Sequence, residues 1–270
     1  MEKTIGIIGA GNMGQAILSG LLKTEDLTTN QLWVSDTDQD KLNRLKDQHQ
    51  INTTIDNTVL ISKCQIIILA LKPYIIRPLI QEFAPQLSNK LIISIATGYT
   101  LNQATQDLGK QVKFCRAMPN TPALVGKGTS GLAPNKNISD EELSTILSIF
   151  NSFGQTIIVT EEVLNSAVTG LIGSGPALVY IIAEAMADAG VHQGLTRDQA
   201  MSAAIGVLAG SSQLLAESNL HPGQLKDMVC TPMGTTSELV RTAEKLGIRA
   251  AVNESIIAAS KRSVEISKQS

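Results

Sequence analysis

Residues 221–236 read HPGQLKDMVCTPMGTT and close on Gly234-Thr235-Thr236 just before a helical pattern. A Gly-Thr-Thr entry to a helix offers unpaired backbone N–H groups, two hydroxyls and the positive end of the helix dipole. That combination suits a small carboxylate. At the other end of the chain, Gly9-Ala10-Gly11-Asn12-Met13-Gly14 is a G-x-G-x-x-G set between a β-rich run and a helical pattern. The first glycine permits a tight turn, the second lets the backbone approach a pyrophosphate, and the third allows close helix–strand packing. A second strand pattern ends at Asp36. A carboxylate there accepts hydrogen bonds from the ribose hydroxyls of NAD and repels a 2′-phosphate. Ser35 is placed to contact that phosphate instead, no arginine follows, and Asp36 also reads as a helix N-cap or turn residue.

Lys72-Pro73, residues 94–98 around Ala96, and residues 118–122 each follow a strand pattern. Loops at the carboxyl ends of strands line the ligand crevice of an open parallel sheet. Pro119 and Pro122 stiffen the backbone around Asn120, whose amide suits a nicotinamide or a substrate; each loop taken singly also reads as a plain strand end. Gly173-Ser174-Gly175-Pro176 interrupts a long helical pattern, where proline removes a backbone hydrogen bond and kinks the helix. The small residues there admit either a ligand or a crossing helix. Between Lys136 and Arg197 there is no lysine or arginine. Two-domain dehydrogenases that interconvert 3-hydroxy acids and the corresponding ketones carry a lysine on the long junction helix, the general acid in the reducing direction. Its absence disfavours reduction of a ketone, which needs a proton donor for the developing alkoxide. A C=N bond is easier, since an iminium accepts hydride without further acid catalysis. The three histidines, at 49, 192 and 221, form no catalytic or metal triad. The cysteines at 64, 115 and 230 lack ligand spacing, so no metal site is expected.

The elements that must position these residues follow from the apolar pattern. Strand-like runs at 3–8, 31–36, 66–71, 91–95, 112–116 and 155–159 alternate with helical patterns, and several are apolar on both faces. Strands of that kind argue for a parallel sheet covered on both sides. Ser139 with Glu142 is a capping box that opens a helix through about Ser152. From Thr160 onward only helical patterns appear: 161 to about 190, 196–218, 236–246 and 249–267. The expected fold is an α/β N-terminal Rossmann-like domain with a mostly parallel sheet over 1–160. An all-α C-terminal domain over 161–270 follows it, expected to bind substrate and to dimerise. The helix around 178–189 is apolar on nearly every face. It is therefore either interior to one bundle or packed against a second copy, and the small size of the second domain favours the dimer.

Composition narrows the partners. A net charge of -2 and an aromatic share of 3% give little attraction for nucleic acid or an anionic membrane and few platforms for stacking bases. The apolar runs 66–71 and 177–183 are too short to span a bilayer. There is no signal-peptide pattern, and three widely spaced cysteines read as reduced thiols, which together point to the cytoplasm.

The set Gly9–Gly14, Lys72-Pro73, Met118–Pro122, Gly173–Ala177 and 221–236, in this order over nearly the whole chain, strongly resembles pyrroline-5-carboxylate reductase. The last two motifs are the specific ones. The resemblance implies the last step of proline synthesis, with hydride passing from NADPH or NADH to the C=N carbon of 1-pyrroline-5-carboxylate to give L-proline. It also implies a helical domain that intertwines in a homodimer, with dimers often assembling into decamers. Carried over by position, Gly234, Thr235 and Thr236 match the carboxylate-binding loop, with Thr236 near the ring nitrogen as the catalytic contact. Asn120 and Ser174 match pocket-wall positions. Gly9, Gly11, Asn12, Met13, Gly14, Ser35, Asp36, Lys72, Pro73 and Ala96 are the expected cofactor residues. Departures are Met233 where glycine is usual, Thr97 for an alanine, Asn219 where some relatives carry glutamate, and Asp36 in a family that usually prefers NADPH. They keep open a reductase of another cyclic imino acid, such as a six-membered one, and a non-catalytic nucleotide-binding paralogue.

Overall fold

The structure is a computed structural model, and it describes residues 3–25 and 27–269. Its first compact unit holds one eight-stranded sheet. The strands are β1 (Ile5–Ile8), β2 (Leu32–Ser35), β3 (Asn52–Thr54), β4 (Ile66–Leu69), β5 (Leu91–Ser94), β6 (Lys113–Met118), β7 (Gly128–Pro134) and β8 (Gly154–Ile158). Their spatial order is β3-β2-β1-β4-β5-β6-β7-β8. Every pairing is parallel except β6 with β7. The order reverses between β1 and β4, which creates the topological switch point where ligands bind in such sheets.

Alternation within the strands explains why both faces are covered. Ile5, Ile7, Ile66 and Ile68 enter one buried cluster, while Ile8, Ile67 and Leu69 enter the other. The first face is covered by α1 (Asn12–Leu21), α2 (Gln39–His49) and, further on, α7 (Asp140–Asn151). The second is covered by α3 (Asn57–Lys63), α4 (Pro73–Glu82), α5 (Ala84–Leu87) and α6 (Leu101–Leu108). The expected capping box is present, with Ser139 capping α7 through Glu142.

After Thr160 the chain is helical, as the pattern indicated. A single turn, α8 (Glu161–Val163), leads into a π-helix over Leu164–Gly173. This segment lies on β6 and β7 through a cluster of Met118, Ala133, Leu164, Val168 and Ile172. Gly131 permits the approach, since a Cβ there would stand 2.5 Å from Val168. By internal contacts, this segment groups with the sheet, and the chain forms two compact units. The first comprises 1–174 with 258–270, and the second comprises 175–257.

The second unit contains α9 (Gly175–His192), α10 (Arg197–Ser218), a short α11 (Pro222–Met228), α12 (Thr235–Lys245) and the first part of α13 (Ile248–Gln269). Pro176 sits in the first turn of α9, where its missing N–H costs nothing, so it starts a helix and does not kink one. α9 and α10 meet through Ala187, Ala200 and Ala204. Little else in this unit is buried. Val179, Tyr180, Ile181, Ile205, Val207 and Leu214 are all exposed, so α9 is not an interior helix of its own chain. The continuous stretch Glu161–His192 is also long and apolar enough, by length and composition, to cross a membrane. The runs 66–71 and 177–183 are themselves short, and that length is reached only when the segments on the two sides of Ser174 are counted together.

Candidate active site

The glycine fingerprint sits at the switch point, and the structure separates the reasons for its three glycines. Gly9 has φ +103°, and a Cβ there would lie 2.4 Å from the Ala70 carbonyl oxygen on the adjoining β4 loop. Gly14 would place a Cβ 2.1 Å from the Gly9 oxygen. Both are demanded by the fold. Gly11 is exposed, has ordinary extended backbone, and would meet no protein atom within 4 Å. Nothing in the fold requires glycine there. It is also the N-cap of α1, with no side chain capping the helix, so the first N–H groups of α1 are left for an anion. The residues present therefore fit a dinucleotide.

Asp36 lies just beyond β2 and is largely buried. Its Oδ2 accepts the Ala10 N–H at 2.7 Å, and its Oδ1 accepts from the Asp38 N–H at 3.0 Å and from Lys41 Nζ at 3.2 Å. Burial, the largest single influence, opposes ionisation, but the bonds from Ala10, Asp38 and Lys41 together hold the carboxyl below its ordinary range. The carboxylate thus braces the glycine loop, a role its sequence position did not reveal. A second brace is the Gly9 N–H donating to the Ser35 carbonyl at 2.8 Å. The Ser35 hydroxyl is buried and donates to Asn57 Oδ1 at 2.7 Å. Asn12 and Met13 open α1. Lys72 is the exposed N-cap of α4, Pro73 is its first residue, and Ala96 is buried just after β5.

Asn120 follows β6, and its Oδ1 accepts the Thr129 N–H at 2.9 Å, tying the β6–β7 connection together. Ser174 lines a cavity of about 320 Å³ within the first unit. Thr97, Gly98, Asn165 and Thr169 form one wall, and the last part of α13, including Arg262 and Ser263, forms another. Thr97 and Gly98 belong to the loop after β5, so the cavity opens at a strand carboxyl end. Asn165, Thr169 and Arg262 carry no motif, and sequence reasoning passed over them. The cavity has a cation in Arg262 despite the lysine-free stretch, but a guanidinium does not release a proton.

Gly234, Thr235 and Thr236 lie in the second unit at the entry to α12. Residues 231–234 form a four-residue turn closed by the Gly234 N–H on the Thr231 carbonyl at 3.0 Å, and the Ser237 hydroxyl donates to the same oxygen at 2.6 Å. A Cβ on Gly234 would fall 2.1 Å from Thr231 Oγ1. Gly234 is the N-cap of α12 and no side chain caps it, whereas α2, α3, α6, α7 and α10 are each capped by a side-chain oxygen. The first N–H groups of α12 are therefore open to an anion. Neither threonine hydroxyl has a partner among the described residues. Met233 occupies the third turn position with φ 60° and is fully exposed. Methionine thus keeps the left-handed turn that suits glycine, at a cost of about 1–2 kcal/mol.

The remaining titratable groups offer little chemistry. Burial pushes the Cys64 and Cys115 thiols up to about 12. Among the described residues no group of His, Cys, Asp and Glu is arranged to hold a metal.

Comparison with known proteins bears on both halves of the chain. The family model described as pyrroline-5-carboxylate reductase dimerisation matches residues 162–266. The one described as NADP oxidoreductase, coenzyme F420-dependent, matches residues 4–98. The chain is 42% identical to pyrroline-5-carboxylate reductase of Escherichia coli (strain K12), over 99% of this chain and 100% of that one. Its fold matches the structure of a pyrroline-5-carboxylate reductase from Coxiella burnetii with a TM-score of 0.94, at 31% identity over 99% of each chain. It matches Plasmodium falciparum pyrroline carboxylate reductase, solved with NADP bound, with a TM-score of 0.86 at 30% identity over 98% of each chain.

Proposed function

The chain belongs to the pyrroline-5-carboxylate reductase family, and from that premise we propose that it reduces 1-pyrroline-5-carboxylate to L-proline. The overall change consumes one NAD(P)H and one proton and yields NAD(P)⁺, with the hydride of the reduced nicotinamide supplied to the C=N carbon. The observation that carries the reading is the pair of uncapped, glycine-initiated helix entrances. One, at α1, fits a pyrophosphate. The other, at α12, fits a carboxylate.

In this reading Gly11, Asn12, Met13, Lys72, Pro73 and Ala96 hold the cofactor on a loop braced by Asp36. The N–H groups behind Gly234 hold the substrate carboxylate, and Thr236 orients the ring nitrogen. Asn120 and Ser174 stand in the pocket wall. No general acid on the long helix is needed, because a cyclic imine is protonated before hydride arrives. Most of the acceleration comes from holding the two reactants in place.

The active form is a cytoplasmic homodimer, able to assemble further. Exposed Val179, Tyr180, Ile181, Ile205, Val207 and Leu214 support this, since covering each against a second copy is worth about 1.5–3 kcal/mol. The assay is the loss of nicotinamide absorbance on addition of pyrroline-5-carboxylate, and absence of any loss with both NADH and NADPH would sink the assignment. A Thr236→Val variant is expected to lose turnover by roughly a hundredfold, the scale of removing one oriented donor, with cofactor affinity kept. Wild-type turnover in that variant removes Thr236 from the mechanism.

A further inference from the structure

The π-helix places three polar side chains on one cavity wall. Asn165, Thr169 and Ser174 are spaced by four and five residues, and all three line the cavity. Nine residues make about 2.5 turns of α-helix, which would set Asn165 and Ser174 on opposite faces. The i→i+5 repeat of the π-helix brings them into one row. The widened turn is held locally, with the Thr169 hydroxyl donating to the Leu164 carbonyl at 2.8 Å and the Ser174 N–H to the Thr169 carbonyl at 3.0 Å.

Asn165 is oriented from behind. Arg116 on β6 is 1% exposed. Its Nη1 donates to Asn165 Oδ1 at 2.7 Å and to Glu161 Oε1 at 2.9 Å. The same Glu161 oxygen accepts the Leu101 N–H at 2.8 Å, tying the start of α6 into the network. Arg116 Nε has no partner, so this buried cation is already short of acceptors. A guanidinium only donates, so Asn165 must turn its oxygen to Arg116 and keep its NH₂ group for another acceptor. No described residue accepts from that nitrogen.

We propose that Asn165 is a ligand-binding residue of the cavity, its orientation set by Arg116, and that its N–H donates to a planar carboxyl-type oxygen. In the reaction assigned above, on which this inference rests, two groups carry such an oxygen: the carboxylate of the substrate and the carboxamide of the nicotinamide. The test is Asn165→Asp. The variant keeps an oxygen for Arg116 and puts a second oxygen where the donor was. Dissociation constants for L-proline and for NADH are measured separately on the full-length protein, alongside the Tm.

The expected result is a Tm within a few degrees of wild type and affinity reduced about tenfold or more for one ligand. Loss for proline identifies the carboxylate, and loss for NADH identifies the carboxamide. Asn165→Ala, which also strips Arg116 of an acceptor, lowers the Tm as well as the affinity. Both dissociation constants within twofold of wild type in Asn165→Asp overturn the proposal. If the wild type itself fails to bind proline or to turn over pyrroline-5-carboxylate, the assigned reaction falls, and the NADH measurement alone then decides Asn165.

Discussion

Gly11→Ala separates a glycine kept for the fold from one kept for a ligand. The added methyl meets no protein atom within 4 Å, and the backbone at φ -70°, ψ -179° is open to alanine. Stability changes in two opposed ways. Alanine is a poorer N-cap than glycine by several tenths of a kcal/mol up to about 1. It also restricts the unfolded chain, worth about 0.4–1 kcal/mol in the other direction. The unliganded Tm is therefore expected within about 3 °C of wild type, given about 2–4 °C per kcal/mol for a chain near this size. Binding is different, because the methyl projects into the space before the α1 N–H groups where a pyrophosphate must come close. Loss of about 2.7 kcal/mol of contact raises Kd roughly a hundredfold. At a dinucleotide concentration of 100 times the wild-type Kd, the ligand stabilises wild type by about 2.7 kcal/mol and the variant by only RT ln 2, about 0.4 kcal/mol. The NADH-induced Tm shift then falls from about 5–10 °C to about 1 °C. Thermal scans with and without NADH, with a titration of Trp33 fluorescence, read both quantities. Gly14→Ala is the control, since its Cβ would lie 2.1 Å from the Gly9 oxygen and the apoprotein itself must lose stability. A Gly11→Ala protein that binds NADH with wild-type Kd would refute the placement of the pyrophosphate.

Two further substitutions test the braces and turns of the site. Asp36→Asn removes a carboxylate whose folded-state pKa is lowered, so its contribution is present above the unfolded value near 3.9 and lost as pH falls through the folded one. The variant is expected to lower the Tm at pH 7, to flatten the Tm against pH profile below pH 4, and to raise NADPH affinity relative to NADH several-fold. An unchanged acid limb in the thermal scans would show that the brace contributes nothing. Met233→Gly relieves about 1–2 kcal/mol of left-handed strain but frees the unfolded chain by about 0.4–1 kcal/mol. With no packing lost at a fully exposed side chain, the Tm is expected to stay within about 3 °C. The ratio of turnover on five- and six-membered cyclic imines is the informative readout, and a ratio equal to wild type would mean that Met233 does not shape the pocket.

The parallel sheet was legible because its central strands carry continuous apolar runs, Ile66–Leu69 and 91–93, and both strands are buried throughout. Short length and alternation with helical patterns mark such runs as strands. β7 carried no such mark. Its sequence GTSGLAP combines two glycines and a proline, all poor strand formers, and it exists because β6 and β8 pair with it on either side. β3 is three polar residues, fixed by pairing with β2. Two helix starts where a side chain caps the first turn, at Ser139 and Thr196, were read well, while the equally capped α3 and α6 were passed over. Local hydrogen bonding decides those ends, and local sequence encodes it.

The candidate site divides along the same line. Gly9 to Gly14 and Gly234 to Thr236 are contiguous, so their chemistry is written in adjacent letters, and both proved to be uncapped helix entrances. The carboxylate of Asp36 was noticed, but its work on the Ala10 N–H depends on two loops folding past each other, which no spacing rule reports. Asn165 was invisible for a different reason. A helical reading at 100° per residue puts it on the far side from Ser174, and only the π repeat turns both to the cavity. What makes the row polar is then a balance of costs. Arg116 is buried with one nitrogen unpaired, and removing its remaining acceptors would leave an uncompensated charge worth several kcal/mol. The β6 cation therefore constrains what residue 165 can be, and through it which atom faces the ligand. Specificity at this wall is then set partly from β6, through the acceptors that a buried Arg116 demands.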